Sequence, residues 1–443
     1  MSALLLDFRY AVRTLLRSPM FTLVAVLSLA LGIGANTAIF TLLDQLILRL
    51  LPVSQPEQLV MIWSTGPHMG NNRGSRAASY PMYQDFAKKS EAFSSVFCRY
   101  QSPSSLSFNG RTERVNSELV SGNYFQALGV KAAIGRVLSP EEDDRVYKGH
   151  PVVVLSHHYW VNRFNADPKV IGSKLLVNNY PMTVVGVSAA GFNGLDPSRA
   201  PDIRVPIQMK PLMTPGWDSI GDRRSQWIQI FARMKPGFTL EKAQSSLQPL
   251  FMQILNEEVK NTPDMNAYNR DRFLKRKVRM EPAATGYSQT RESYRTALLV
   301  LMGMVVLVLV IACFNVANLL VARAVARRKE IAVRLAIGAS RAQLVRQLLI
   351  ESLLLSFTGG AVGLLLAVWT IRGLLSFIQQ DGTSMMLRAT PDMRILAFDF
   401  ALALITGILF GLAPAIQSTR LDLWSTLKDV VGAVTGSGSS VNV

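Results

Sequence analysis

The chain has 443 residues, of which 49% are hydrophobic, and its mean hydropathy is positive. Its formal net charge is +17, a value that in a soluble protein would suggest nucleic-acid binding. The arginines, however, lie beside long apolar runs without interleaved aromatic residues, so a membrane protein with basic inner loops is the favoured interpretation. The 2 cysteines and 4 histidines show no metal-ligand spacing. We therefore expect no metal, no other cofactor and no nucleic-acid partner.

The N-terminal segment, residues 1–20, predicts an amphipathic helix at the cytoplasmic membrane interface. Large apolar side chains fall on one helical face, whereas Arg9, Arg13 and Arg17 share another. Ser18-Pro19 ends this helix, because proline cannot donate a backbone hydrogen bond and restricts the residue before it.

Residues 21–43 contain no charged side chain and predict the first transmembrane helix, since a crossing needs about 20 apolar residues. A cleaved signal peptide is the alternative, because the segment has a basic front and small residues at 35–38. The apolar run continues beyond Ala38 through Leu43, which favours a retained anchor.

Three further runs predict transmembrane helices at 297–321, 348–372 and 395–416. Asn315 and Asn318 lie three residues apart in the first of them, and we expect these amides to face another helix. The other two runs each contain a GxxxG pair that permits close helix packing, Gly359 with Gly363 and Gly407 with Gly411.

The orientation follows from the distribution of lysine and arginine. Residues 322–347 carry seven basic side chains against Glu330 alone, so this loop is predicted to be cytoplasmic. Alternation then places residues 44–296 and the loop 373–394 outside and the tail 417–443 inside.

The outer segment is long enough to form its own core and reads as an α+β domain. Strands are predicted at 151–156, at 175–187 around an Asn178-Asn179 turn, at 227–234 and at 275–280. Thr239 is expected to cap a helix between the last two. The acidic run 141–144 predicts a solvated loop or a helix start. No nucleophile–base pair is recognisable in this domain.

Nothing in the chain matches the glycine-rich loop that cradles nucleotide phosphates, so we expect any ATPase activity to lie on a partner. The cytoplasmic loop carries apolar side chains beside charged ones, and Ser340 is a candidate N-cap for the helix that follows it. Such a segment can lie on membrane lipid or dock in a groove of another protein, and the residues alone leave both alternatives open.

Four stretches of the sequence carry a family resemblance. The loop segment RRKEIAVRLAIGASRAQLVRQLLIESLLLSFTGG, the opening LRSPMFTLVAVLSLALGIGANTAIF, and the outer stretches NSELVSGNYFQALGVKAAIGR and NADPKVIGSKLLVNNYPMTVVGV resemble MacB/FtsX-type ABC transporter permeases. They are most similar to one half of the duplicated orphan permeases of acidobacteria.

The resemblance implies an α-helical protein of the bacterial inner membrane, with four transmembrane helices and a large α+β extracytoplasmic domain of MacB periplasmic-core type. It implies a permease that is not itself an enzyme. This permease would pair with a second permease subunit and an ATP-binding cassette ATPase, with a periplasmic adaptor as a further candidate partner. The family couples ATP hydrolysis to extracytoplasmic work by mechanotransmission, through a helix in the cytoplasmic loop. The residues carried over for this contact are Lys329, Glu330, Ile331, Arg334, Leu335, Gly338, Ala339 and Ser340.

Two departures from the family leave the assembly open. MacB has a fused ATPase domain and the orphan permeases have two permease halves, whereas this chain shows one permease half. One half of a split pair, a homodimer subunit and a truncated product are the three alternatives. For function, the alternative to an energy-coupled permease is a membrane-anchored binding or sensing protein.

Overall fold

The computed structural model describes residues 3–68, 70–263, 265–326, 333, 337, 340–378 and 391–419. The described residues form two compact units. The helical unit comprises those up to Gln45 and most of those from Ser293 onward, and the outer unit runs from Leu46 to Glu292.

Twelve α-helices and ten strands are found in the described ranges. The helices are α1 Ala3–Leu16, α2 Pro19–Leu43, α3 Tyr80–Lys89, α4 Tyr124–Leu128, α5 Pro140–Asp143, α6 His157–Phe164, α7 Lys210–Met213, α8 Leu240–Lys260, α9 Ala267–Leu274, α10 Gln289–Ala326, α11 Arg341–Ile378 and α12 Met393–Thr419. The strands are β1 Leu59–Thr65, β2 Phe93–Phe108, β3 Arg111–Val120, β4 Ala132–Gly135, β5 Val152–Leu155, β6 Lys174–Val177, β7 Tyr180–Ser188, β8 Ile203–Pro206, β9 Gln229–Met234 and β10 Lys277–Pro282.

Three of the described helices are long and apolar enough to cross a membrane, over Pro19–Leu48, Gln289–Arg323 and Arg341–Gly373. They contain the first three spans predicted from the sequence. The fourth predicted span, 395–416, lies within α12, which has 27 residues. A helix of that length is about 40 Å long, against a hydrocarbon core of about 30 Å.

The helical unit is held together by a small apolar core. Leu29 and Ile33 of α2 are buried with Leu309 and Cys313 of α10 and with Leu355 of α11. Cys98 and Cys313 are both free and buried.

One ten-stranded sheet organises the outer unit, in the order β10-β1-β9-β2-β3-β8-β5-β7-β4, with β6 paired to β2 and β7. The predicted strands at 151–156, 227–234 and 275–280 are confirmed as β5, β9 and β10. The predicted turn is confirmed as well, since Asn178 and Asn179 join β6 to β7 with φ of 48° and 64°. Asparagine tolerates this left-handed conformation better than most residues, and two such residues form a type I′ hairpin turn.

Both faces of the sheet are covered, as the alternation along β1 shows. Val60 and Ile62 belong to a large apolar cluster, whereas Leu59 and Met61 belong to a second one. Successive side chains of a strand point to opposite faces, so these clusters lie on the two sides of the sheet. Helix α8 contributes to the larger cluster, and its N-cap is Thr239 as predicted, with Oγ1 accepting from the Lys242 amide at 3.3 Å.

A buried ionic group connects five elements of the outer unit. The Glu118 carboxylate accepts hydrogen bonds from Arg99 Nη1 at 3.1 Å, Arg204 Nε at 3.0 Å and the Tyr124 hydroxyl at 3.3 Å. Arg99 also donates to the Tyr287 carbonyl at 3.0 Å. Removing one partner of a buried ion pair costs about 3–5 kcal/mol, because the remaining charge cannot be solvated. Glu118 therefore fixes β2, β3, β8 and α4 to one another, and Arg99 adds the segment before α10.

The acidic run 141–144 begins a helix, as one of the two predicted alternatives stated, but it is not fully solvated. Asp143 is buried and binds the Arg136 guanidinium, with Oδ2 to Nη1 at 2.6 Å. Asp144 accepts from the Gly122 amide at 2.8 Å. Both carboxylates are thus held by donors of the outer unit rather than left to solvent.

Candidate functional site at the cytoplasmic loop

The loop between α10 and α11 contains the eight residues proposed to contact an ATPase. Ser340 is exposed and caps α11 as predicted, since its Oγ accepts from the Gln343 amide at 3.2 Å. The other seven lie outside the described residues: Lys329, Glu330, Ile331, Arg334, Leu335, Gly338 and Ala339.

Two further loop residues are described, and both are apolar and exposed. Val333 is 56% exposed and Ile337 is 81% exposed. The Ile337 amide donates to the Val333 carbonyl at 3.0 Å, which is the spacing of one helical turn. The loop thus presents apolar side chains that a protein groove could cover.

Glycines allow α2 and α11 to approach each other closely in the helical unit. A Cβ atom on Gly363 would lie 2.9 Å from the Ala30 carbonyl oxygen and 2.9 Å from the Gly34 nitrogen. A Cβ atom on Gly359 would lie 2.7 Å from Leu29 Cβ. These distances are shorter than van der Waals contact, so a larger residue at either position would push the two helices apart.

The second pair of glycines lies between α11 and α12. A Cβ atom on Gly407 would lie 2.8 Å from Leu353 Cδ2, and one on Gly411 would meet the Ser352 side chain. Ser352 Oγ donates to the Gly407 carbonyl at 2.9 Å across the two helices. Helix α11 is therefore packed through small residues on two sides.

The two asparagines of α10 do not face another described helix of this chain. Asn315 and Asn318 are both exposed. The face of α10 that enters the core carries Leu309, Cys313 and Val316. At about 100° per residue, Asn315 lies about 200° from Cys313, and Asn318 lies about 200° from Val316. The hydrophobic stripe thus turns both amides away from the other described helices.

The sequence interpretation also missed a buried ion pair beside the loop. Arg323 is one of the seven basic side chains of residues 322–347, and its Nη1 donates to Glu351 Oε1 of α11 at 2.6 Å. Their opposite charges at adjoining ends of consecutive apolar helices are the signal that could have identified the pair.

The outer unit contains a cavity of about 350 Å³ lined by charged side chains, among them Arg223, Glu258 and Arg276. Arg223 Nη1 lies 3.7 Å from Glu258 Oε1 and 2.8 Å from Asp85 Oδ2. Burial raises the pKa of Glu258 to about 7, although Arg276 and Arg223 oppose this shift. The carboxyl group therefore changes its charge near neutral pH.

Comparison with known families identifies both parts of the chain. Residues 22–250, more than half of the 443, match the MacB-like periplasmic core domain, and residues 302–423 match the FtsX-like permease C-terminal region. The chain belongs to the MacB/FtsX family of ABC transporter permeases. It is a multi-pass protein of the bacterial inner membrane, and its outer unit is periplasmic.

The similar proteins include two macrolide export ATP-binding/permease proteins. MacB of Burkholderia thailandensis is 28% identical over 321 residues, which are 72% of this chain and 44% of that protein. MacB 1 of Escherichia coli O1:K1 / APEC is 27% identical over 320 residues, which are 72% of this chain and 44% of that protein. The chain thus spans less than half the length of these relatives.

Among solved structures, the periplasmic region of MacB from Actinobacillus actinomycetemcomitans is similar to part of this chain. It has a TM-score of 0.37 and 16% identity, and the match covers 56% of this chain and 94% of that one.

The close approach of α2 and α11 generates a first prediction. Replacing Gly363 with alanine forces the helices apart, and we expect a loss of about 1–3 kcal/mol in stability. Gly303→Ala in α10 is the matched control, because a Cβ atom there meets no atom within 4 Å. The thermal unfolding midpoints of the two purified variants in detergent, compared with that of the wild type, measure the two effects. Equal midpoints for the two variants would contradict the predicted contact.

Proposed function

We propose that the chain is the permease subunit of an ABC transporter that couples ATP hydrolysis by a partner ATPase to work on the periplasmic side. The observation that carries this proposal is the family match, which places a periplasmic core domain and an FtsX-like permease region in order along one chain. The proposed work is efflux or the handling of lipoproteins or peptides.

The helices beside the loop support transmission of movement rather than a substrate path. α10 and α11 each have 38 residues, so each extends about 57 Å as one continuous helix. α10 begins seven residues after β10 of the outer unit and ends at the cytoplasmic loop. A displacement of the loop would therefore act at one end of a stiff element whose other end continues into the periplasmic domain.

The second permease subunit of this proposal would cover the exposed asparagines of α10. A polar amide facing lipid has no hydrogen-bonding partner there, and transmembrane helices commonly pair through such side chains. Asn315 and Asn318 lie on one exposed face together with Ile311, which is 61% exposed. This face is our candidate for the contact between the two permease subunits.

A periplasmic binding or sensing protein without energy coupling is the second candidate. The charged cavity beside Glu258 favours it, because a cavity of about 350 Å³ is large enough for a small ligand.

The ATPase contact is tested by charge reversal in the loop. We expect Glu330→Lys and Arg334→Glu each to abolish co-purification of an ATP-binding cassette ATPase from native membranes in mild detergent. Glu257→Lys is the control, because it makes the same charge change as Glu330→Lys at an exposed position of α8 in the periplasmic unit. An ATPase that binds and works equally well with the loop variants would refute the coupling assignment. A wild-type chain that never retains an ATPase would favour the sensing alternative.

The subunit contact is tested by removing both amides. Asn315→Leu with Asn318→Leu should shift the chain from dimer to monomer in native mass spectrometry, because each lost interhelical hydrogen bond weakens association by about 0.6 kcal/mol or more. Val306→Leu, at an exposed position about 120–180° around the same helix from this face, should leave the dimer unchanged. A double variant as dimeric as the wild type at every concentration would exclude this face as the contact.

A further inference from the structure

The short N-terminal helix α1 docks on protein as well as presenting a surface to lipid. Ala11, Thr14 and Leu15 are 0%, 5% and 8% exposed, so one face of α1 is covered. The helix packs against α11. Its opposite side leaves Leu6 and Leu16 exposed, at 68% and 76%. A helix that only floated at the interface would have no side chain covered by its own chain.

An ion pair joins the middle of α1 to the first turns of α11. The Asp7 carboxylate accepts from Arg346 Nε at 2.8 Å and from Arg346 Nη2 at 2.7 Å through the same oxygen. Arg346 lies five residues after the start of α11, directly beyond the cytoplasmic loop. α1 is thus bound to the helix that leaves the loop.

A single guanidinium group binds the end of α1 to both sides of the loop. Arg323 lies three residues before the end of α10, and its Nη2 donates to the Thr14 carbonyl at 2.8 Å and to Ser18 Oγ at 2.5 Å. Its Nη1 donates to Glu351 of α11 at 2.6 Å. The Arg323 and Glu351 side chains are 13% and 4% exposed. The guanidinium also lies 4.5 Å from the centroid of the Phe21 ring.

The sequence creates the acceptor that Arg323 uses. Pro19 has no amide hydrogen to donate to the Leu15 carbonyl, and the Ser18 amide donates to Leu15 at 3.2 Å instead of to Thr14, its usual helical acceptor. A cation at this end of a helix is also favoured by the helix dipole. The Thr14 carbonyl is satisfied by Ser18 Oγ at 3.2 Å and by Arg323, which makes the break after α1 a binding site for the end of α10.

We propose that Arg323, Glu351 and Ser18 form a joint that makes α1 move with the cytoplasmic loop, so that α1 is part of the coupling apparatus. The inference rests on the proposed function. Because Arg323 precedes the loop and Glu351 follows it, a displacement of either flank is passed to the α1–α2 junction. Arg323 acts as a positioning residue: it holds α1, α10 and α11 in one arrangement at the membrane surface.

The test compares the whole chain with Arg323→Gln, Glu351→Gln and Arg341→Gln in lipid nanodiscs, with the co-purified ATPase. Arg341 is the matched control, since it is an exposed arginine at the first residue of α11. The first readout is hydrogen exchange of the α1 amides. Loss of charged hydrogen bonds worth about 1.5 kcal/mol should raise exchange about tenfold with Arg323→Gln and Glu351→Gln. Arg341→Gln should leave it unchanged.

The second readout is the ATPase activity that the permease stimulates. We expect Arg323→Gln to retain the ATPase but to reduce stimulation by about fivefold or more. Arg323→Lys keeps the charge but loses the planar guanidinium group, and it should recover part of the ATPase stimulation. Unchanged α1 exchange with Arg323→Gln would overturn the joint, and a loosened α1 with full stimulation would overturn its role in coupling. If the wild-type chain binds no ATPase, the proposed function fails, and α1 exchange still decides whether the joint exists.

Discussion

The absence of water in the bilayer core is the constraint on which the rest of the molecule depends. A backbone group in hydrocarbon has no solvent to bind, so each span satisfies its own groups as a continuous helix. Polar side chains in these helices must find partners within the bundle. Asp399 of α12 does so by accepting from Thr37 Oγ1 at 2.9 Å, and Arg323 does so with Glu351 at 2.6 Å. By the same rule, we propose that a second permease subunit covers the exposed amides of α10.

Each of the two units is stabilised internally by a different physical effect. In the helical unit the apolar surface can face lipid, so association relies on close backbone approach at glycines such as Gly34 and Gly363. In the outer unit water drives burial, and the sheet is covered on both faces. There the three donors around the Glu118 carboxylate offset the free-energy cost of burying its charge. In the loop between α10 and α11, Val333 and Ile337 are exposed.

The sequence predicted those features that depend on residues close to one another along the chain. The helical spans, the Asn178-Asn179 turn and the caps at Thr239 and Ser340 follow from length, conformational preference and side-chain acceptors near a helix start. The ten-strand order and the Arg323–Glu351 pair were not predictable, because they join residues distant in sequence whose meeting is decided by packing. That Asn315 and Asn318 face another helix stays a prediction, since both are exposed in this chain and a polar residue in a span does not reveal whether its partner belongs to the same chain.

The most direct measurement of the central claim is the sidedness of single cysteines in spheroplasts. Cys98 and Cys313 are buried, so an impermeant maleimide should report on added cysteines at the exposed positions Ser340 and Glu257. We expect Glu257→Cys to be labelled in intact spheroplasts and Ser340→Cys to be labelled only after the membrane is permeabilised. Labelling of Ser340→Cys in intact spheroplasts would contradict a cytoplasmic loop and, with it, the proposed coupling to an ATPase.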